Sequence, residues 1–152
     1  MIETPEGMGT PISMTAIGRI RRPCGGAEVT TEQNPSIEEL RAERVSIVLD
    51  ERCADGLLGI EVGADILVLC YLDRADRAVL QVHPRGDRTR PLRGVFATRS
   101  PGRPNPISVT SARILDIEGT TLHVTGLDIL DGTPVLDIKA RSAYFDEPYE
   151  DV

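Results

Sequence analysis

The chain carries the stretch RGVFATRSPGRPNPI at residues 93–107, and this stretch decides how its centre folds. The first residues, through Val95 and Ala97, have the pattern of a strand. Three prolines and a glycine then fall within residues 101–106 and exclude a regular element there, because proline fixes φ and lacks an amide proton. We therefore expect a strand that ends in a stiff loop carrying two arginines, Arg99 and Arg103.

A second dense stretch, GLDILDGTPVLDIK at residues 126–139, ends a strand in an Asp-Gly-Thr-Pro turn. Its carboxylates Asp128 and Asp131 can face the same space as Arg99 and Arg103 if the two loops are neighbours. Arginines and carboxylates on two preorganised loops predict a site for a zwitterionic ligand.

Plainer interpretations of these residues stay open. Residues 131–134 can form a tight turn without binding anything, and Arg99 can be the partner of an internal salt bridge. Asn105 can equally brace its own loop by hydrogen bonding to the backbone.

The two stretches, in this order and spacing, resemble the TrmO (TsaA/YaeB-like) family of S-adenosylmethionine-dependent tRNA methyltransferases. That family N-methylates the threonylcarbamoyl-adenosine beside the anticodon. The sequence IGRI at 17–20, the sequence VHPRGD at 82–87 and a strand–helix–strand pattern over 45–69 support the resemblance, which covers residues 14–141.

The resemblance implies a mostly β protein, an antiparallel β-barrel with a short helix, that works as a homodimer with S-adenosylmethionine as cofactor. Methyl transfer to a nitrogen lone pair needs orientation of two ligands more than a strong base. Arg99 is the best candidate to bind the methionine carboxylate, with Arg103 second. The full set of candidate cofactor-binding residues is Arg99, Arg103, Asn105, Leu127, Asp128, Asp131, Gly132 and Thr133.

Several positions depart from the family pattern. Ser108 stands where the family usually has Gly, Asp73 where many relatives have His, and residues 140–141 read Ala-Arg in place of Pro-Tyr. The N-terminal loop that would contact the cofactor matches weakly, with 33–35 as its best counterpart. These departures concern the methyl acceptor more than the cofactor, so a small metabolite stays open as the acceptor. A third possibility is a non-catalytic module that binds the cofactor or RNA.

The hydrophobic pattern predicts eight short strands and one helix. Residues 24–35 read as a loop, residues 54–62 as a short helix, and residues 118–120 (Glu-Gly-Thr) as a hairpin turn. Strands are expected at 14–21, 45–49, 65–72, 78–83, 92–98, 107–117, 121–127 and 135–139. Many short strands at close spacing favour a barrel or a sandwich-like sheet.

Length and composition predict a single domain. A chain of 152 residues buries roughly 70% of its unfolded surface, which suffices for a core without a metal or disulfide. We expect a flexible N-terminal tail over 1–13, the barrel over 14–141 and an acidic C-terminal tail over 142–152. Three cysteines without a Cys-x-x-Cys pair favour a reducing compartment, and Cys70 in an apolar run is most simply a core residue. With neither a membrane span nor a secretory signal in the sequence, we expect a cytoplasmic protein.

Positive charge is concentrated in one segment of an acidic chain. The net charge is −7, yet residues 74–103 contain eight arginines and two aspartates, a net +6. Guanidinium groups fork to phosphates and stack on bases, so we expect this segment to contact tRNA through Arg85, Arg88 and Arg90. The alternative is a solvated loop. Aromatic residues make up only 3% of the chain, so stacking on a base would rely on arginine or on Phe96, Tyr71 and Tyr144.

No competing catalytic signature is present. The Rossmann glycine fingerprint is absent, so the cofactor is not expected in a doubly wound sheet. His83 and His123 are too few for a metal cluster, and we expect no metal. For His123 a surface or interface role is favoured, and for His83 a structural one.

Overall fold

The fold is a closed antiparallel β-barrel of six strands with a separate two-stranded sheet. The computed structural model describes residues 9–23 and 36–149. Its strands are β1 (Gly18–Arg21), β2 (Val45–Leu49), β3 (Asp65–Tyr71), β4 (Gln81–Val82), β5 (Arg93–Gly94), β6 (Ile107–Glu118), β7 (Thr121–Thr125) and β8 (Pro134–Ala140). The barrel runs β1-β2-β7-β6-β3-β8 and closes where β8 pairs with β1, whereas β4 and β5 pair only with each other.

The barrel is built by period-two alternation. In β3, Ile66, Val68 and Cys70 are buried while the residues between them are partly exposed, so one face of the strand fills the interior. The sequence pattern predicted this strand and β2 within one residue, and the antiparallel barrel with a short helix is confirmed. Leu127 and Ile129, which follow β7, belong to the same buried cluster. The core therefore fixes the start of the second loop of the candidate site.

Helix α1 (Ile37–Ala42) was not expected from the hydrophobic pattern. Its start is a capping box, in which the Ser36 hydroxyl accepts from the Glu39 amide and the Glu39 carboxylate accepts from the Ser36 amide. No residue of α1 is buried. A six-residue helix without a buried face depends on polar contacts to the rest of the protein, because so short a helix is marginal in water.

The predicted strand over 92–98 is shorter than expected. Only Arg93–Gly94 pairs, and Val95–Ala97 forms a 3₁₀ turn with Val95 buried. The turn forms because the Val95 carbonyl accepts from the Thr98 amide and hydroxyl and from the Arg103 guanidinium, which draws the chain out of the sheet.

Other boundaries also differ from the expected ones. The helix expected over 54–62 is a 3₁₀ helix over Glu51–Leu57, capped by the Asp50 carboxylate. Pairing begins at Gly18, four residues later than expected in β1, and only Gln81–Val82 pair within the expected 78–83. Residues 143–146 form a short helix, α2, inside the segment expected to be a tail. The loop expected over 24–35, the weakly matched residues 33–35, and residues 1–8 of the expected N-terminal tail lie outside the described residues.

Candidate functional site

The proline-rich loop after β5 is held by a central guanidinium. Arg103 donates to the carbonyls of Val95, Thr98 and Ser100, at 2.9, 3.3 and 3.0 Å. One side chain therefore ties three carbonyls of the segment that carries Arg99. In this structure Arg103 supports the loop, and its donors point to the backbone.

A second arginine braces the other side of this loop. Arg77 donates to the Pro104 carbonyl at 2.7 Å and to the Asn105 side-chain oxygen at 3.2 Å. Pro106, two residues further on, is fully buried. Asn105 lies outside the lining of the candidate cleft, and its side-chain oxygen accepts from Arg77.

Of the two arginines on the proline-rich loop, Arg99 is the one with donors left for a ligand. Its side chain is exposed and, among the described residues, makes one hydrogen bond, from Nη1 to the Val109 carbonyl at 2.9 Å. A guanidinium has five N–H donors, so the others stay available to an anion. The backbone contact points the Arg99 side chain toward β6.

The loop after β7 alternates like a strand. Leu127 and Ile129 are buried in the core, whereas Asp128 and Leu130 are exposed and line a cleft. The buried pair anchors the loop and the exposed pair faces the cleft, and Ile129 also contributes to the cleft wall. Leu127 therefore contributes its backbone and its anchoring side chain, and it does not line the cleft.

The Asp-Gly-Thr turn that follows packs against the end of β1. Asp131 Oδ1 accepts from the Arg22 amide at 2.8 Å, and the Gly132 amide donates to the Ile20 carbonyl at 2.8 Å. Gly132 has φ +79°, a conformation that favours glycine. Asp131 and Gly132 thus secure the turn, whereas Thr133, which is 5% exposed, reaches the cleft wall.

The two loops meet in an open cleft of about 1070 Å³. Arg99, Arg103, Asp128 and Thr133 line it, so the structure brings together four of the eight residues expected to bind cofactor. Its charged lining is balanced in sign. The charged residues are Arg41, Arg74, Arg99, Arg103 and Arg141 with Asp73, Asp76, Asp128, Asp146 and Glu147. A balanced lining suits a ligand that carries both signs.

A second open cleft of about 1320 Å³ adjoins the first. The three arginines expected to bind substrate, Arg85, Arg88 and Arg90, all line it. The two clefts share part of their walls. The shared residues are Ile37, Arg99, Ser100, Pro101 and Asp128.

The arginine-bearing loop between β4 and β5 is internally ordered. Asp87 accepts from the Thr89 hydroxyl and amide and lies 3.5 Å from Arg90 Nε, and the Thr89 hydrogen bonds lower the pKa of that carboxyl. His83 Nδ1 lies 2.9 Å from the Arg90 carbonyl, as befits the structural role expected for it. Arg85 has φ +59°, a left-handed conformation that is uncommon outside glycine.

Sequence reasoning missed several residues at the site. Arg41 and Ile37 reach the cleft from α1, whereas Arg141, noted above as a departure from the family pattern, reaches it from the end of β8. Arg22 lies behind the second loop with its guanidinium bonded to loop carbonyls. The Ser36–Glu39 capping signature was readable in the sequence and would have located α1, but no local signal marks Arg22.

The described residues hold no group of three or more His, Cys, Asp or Glu side chains placed to bind a metal ion. His123 has Nδ1 2.9 Å from the Ser46 hydroxyl and Nε2 3.3 Å from a Glu118 carboxylate oxygen, on the outside of β7. Over the same residues, no helix is long and apolar enough to cross a membrane.

Sequence comparison places these features in a family. The tRNA-methyltransferase O N-terminal domain matches residues 29–147. An S-adenosyl-L-methionine-binding protein of Archaeoglobus fulgidus is 47% identical over 100 residues, which cover 66% of this chain and 70% of that protein. A probable S-adenosyl-L-methionine-binding protein of Methanothermobacter thermautotrophicus is 39% identical over 128 residues, with 84% and 88% covered.

Solved structures agree with the sequence relatives. The crystal structure of TrmO from Pseudomonas aeruginosa superposes with a TM-score of 0.66 at 29% identity, over 93% of this chain and 60% of that one. A probable S-adenosyl-L-methionine-binding protein of A. fulgidus is 41% identical over 135 residues, yet only 35% of its length is matched. This chain thus spans about a third of one curated relative and about three fifths of the crystallised protein. The chain belongs to the family of tRNA-methyltransferase O N-terminal domains.

Proposed function

We propose that this chain is the S-adenosylmethionine-binding barrel of a cytoplasmic methyltransferase. The enzyme would methylate a nitrogen of the threonylcarbamoyl-adenosine beside the anticodon of tRNA. One observation carries the proposal. Arg99 and Asp128, the two charged residues best placed to bind cofactor, line both the charge-balanced cleft and the arginine-rich cleft. A cofactor in the first cleft would therefore face a substrate in the second.

The lining of the first cleft fits S-adenosylmethionine. That molecule carries a carboxylate, an ammonium, a sulfonium and ribose hydroxyls, and the cleft offers arginines, carboxylates and the Thr133 hydroxyl. Arg99, with donors to spare, would bind the carboxylate, and Asp128 would accept from the ammonium or the ribose. The family membership and the names of the relatives support the same cofactor.

The residues of this site act by positioning. When bound, S-adenosylmethionine supplies an electrophilic methyl group. Arg103 and Arg77 hold the proline loop from both sides, which lowers the cost of ordering Arg99 when ligand binds. Because two ligands held in line supply most of the acceleration in such a transfer, the rigidity of these loops is the catalytic contribution of the chain.

Arg99 gives the first test. Removing the partner of a bound carboxylate costs about 2 kcal/mol or more, and because Arg99 is exposed we take the low end, about 30-fold in affinity. Titration calorimetry should show this loss for Arg99→Ala. Arg52→Ala is the control, since Arg52 pairs with Asp50 and lines neither cleft. Equal affinities for wild type and Arg99→Ala would remove Arg99 from the site.

The arginine-rich cleft gives the second test. Replacing Arg85, Arg88 and Arg90 together with Ala should weaken tRNA binding and lower the log–log salt slope by about two to three, because three phosphate-neutralising charges are lost. A charge-matched control replaces Arg19, Arg44 and Arg52, which line neither cleft. If both triple variants behave alike, the loop is only a solvated one.

A small-metabolite acceptor is the second candidate. Asp73, Ser108 and Arg141, which depart from the family pattern, all line the cofactor cleft. Mass spectrometry of tRNA nucleosides from a deletion strain separates the two candidates. Loss of the methylated nucleoside supports tRNA, and an unchanged nucleoside profile supports a metabolite. Cofactor binding without turnover on any acceptor would instead indicate a non-catalytic module.

We also propose a homodimer, as the family resemblance implies. Leu130 at the cleft and Phe96 on the 3₁₀ turn are 54% and 82% exposed, and such apolar surface is suited to a subunit contact. Light scattering should give twice the chain mass of 16.5 kDa. A strict monomer that binds cofactor would refute this assembly.

A further inference from the structure

We propose that Arg22 is the positioning residue of the cofactor site, a buried guanidinium that fixes the loop carrying Asp128 and joins it to helix α1. The proposal rests on the proposed function of the same cleft. Arg22 itself lines neither cleft, so it would act only through the residues that it holds.

The contacts of Arg22 are directed at one loop. Its Nε donates to the Ile129 carbonyl at 2.5 Å, its Nη2 donates to the Leu127 carbonyl, and its backbone amide donates to Asp131 Oδ1 at 2.8 Å. These three partners are alternate residues of the loop. Since the carbonyls on either side of Asp128 are bound from behind, the Asp128 side chain is left facing the cleft.

The remaining donor of Arg22 reaches α1. Nη1 lies 2.7 Å from a Glu43 carboxylate oxygen and 3.5 Å from the Leu40 carbonyl. A second link joins the same elements. The Gly126 amide donates to the Arg41 carbonyl at 2.7 Å, and Arg41 Nε donates to the Gly126 carbonyl at 3.0 Å. The helix has no buried residue, so these polar links hold it where Ile37 and Arg41 line the cleft.

Burial gives these contacts their weight. The Arg22 side chain is 9% exposed, and a desolvated guanidinium is costly unless its donors are satisfied. The fork geometry matters as much as the charge, since lysine presents a single ammonium and cannot reach the two loop carbonyls and the carboxylate in the same directions. Arg22→Lys keeps the charge and removes the fork.

The test compares Arg22→Lys and Arg22→Met with wild type, using titration of S-adenosylhomocysteine well below the unfolding temperature. We expect both variants to stay folded and to lose tenfold or more in affinity, with no rescue by lysine. Arg19→Met is the matched control. Arg19 lies in β1, three residues before Arg22, and donates one exposed 3.0 Å bond to the Gly132 carbonyl of the same loop, so its loss should change affinity less than twofold.

A double-mutant cycle separates positioning from general support. If Arg22 acts by placing Asp128, Arg22→Met should weaken binding much less in an Asp128→Asn background than in wild type. If the double variant loses the product of the two single fold-changes in affinity, the two residues act independently and the proposal is overturned. Wild-type affinity in both Arg22 variants would overturn it as well.

Glu43→Gln covers the case in which the Arg22 variants do not fold. It leaves the carbonyl contacts intact and removes the carboxylate that holds Nη1, and we expect a several-fold loss of affinity. Unchanged affinity would overturn the proposal. Wild-type protein that does not bind S-adenosylhomocysteine would overturn the proposed function, and this inference with it.

Discussion

Gly126 joins β7 to the loop that carries Asp128, and its replacement by alanine should be severely destabilising. The residue has φ +109°, and a Cβ built there would lie 2.7 Å from the Ser111 carbonyl oxygen and 3.3 Å from the Ala112 Cα. The left-handed conformation costs a residue with a Cβ about 1–2 kcal/mol, and overpacking against rigid backbone adds about 1–3 kcal/mol. We therefore expect Gly126→Ala to lower the free energy of unfolding by about 2–5 kcal/mol.

Gly119 offers a matched comparison at the other end of β7. It has φ +59°, and nothing lies within 4 Å of a Cβ built on it, so Gly119→Ala isolates the cost of the backbone conformation. Urea denaturation should give about 1–2 kcal/mol for this variant. With about 2–4 °C per kcal/mol, Gly126→Ala should melt roughly 4–20 °C below wild type. If Gly126→Ala is no less stable than Gly119→Ala, the close approach of β6 to this glycine is refuted.

Three further predictions follow from single side chains. Arg103→Met removes the donors to three loop carbonyls and should lower the free energy of unfolding by about 2–3 kcal/mol in urea denaturation. Arg74 is an exposed arginine of the same cleft, so Arg74→Met should cost less than about 0.5 kcal/mol, and equal losses would refute the bracing role of Arg103. Burial raises the pKa of the Cys70 thiol from 9.0 to about 11. Because the unfolded chain releases this proton at a lower pH than the folded protein, the free energy of unfolding should fall as pH rises from about 9 to 11. Cys70→Val should flatten that fall in denaturation measured against pH, and an identical curve would refute the contribution of Cys70. Leu127→Ala should cost about 2–5 kcal/mol, because the fully buried side chain leaves a cavity, and a loss below 1 kcal/mol would contradict its place in the core.

The strands were predictable where burial alternates. The apolar and β-branched sequence VSIVL predicted β2 with the bounds Val45–Leu49. In the structure its first, third and fifth residues are buried. The closure of β8 on β1 was not derivable from such patterns, because it is a pairing of residues more than a hundred positions apart, Gly18 with Val135. Local periodicity left both a barrel and a sandwich-like sheet open, and the family resemblance favoured the barrel.

The residues after β5 show why local propensity fails. Val95 and Phe96 favour a strand, and the turn that replaces it is fixed by Arg103, eight residues further along. Asp131 is a similar case, since its carboxylate is engaged by the Arg22 amide 109 positions earlier. The cofactor-binding and substrate-binding assignments stay predictions, and the structure adds that some of those side chains support the loops while others face the clefts.

The separate sheet of β4 and β5 has a consequence for how such a protein diversifies. The hydrogen-bond ladder of the barrel closes without β4 and β5, and the arginine-bearing loop connects these two strands. Because β4 and β5 pair only with each other, we expect changes in length or sequence over 81–94 to leave the register of the six barrel strands unchanged. Under the proposed function, the barrel binds the methyl donor and the loop between β4 and β5 contacts the acceptor, so the acceptor-binding loop can change in sequence while the donor-binding barrel stays the same.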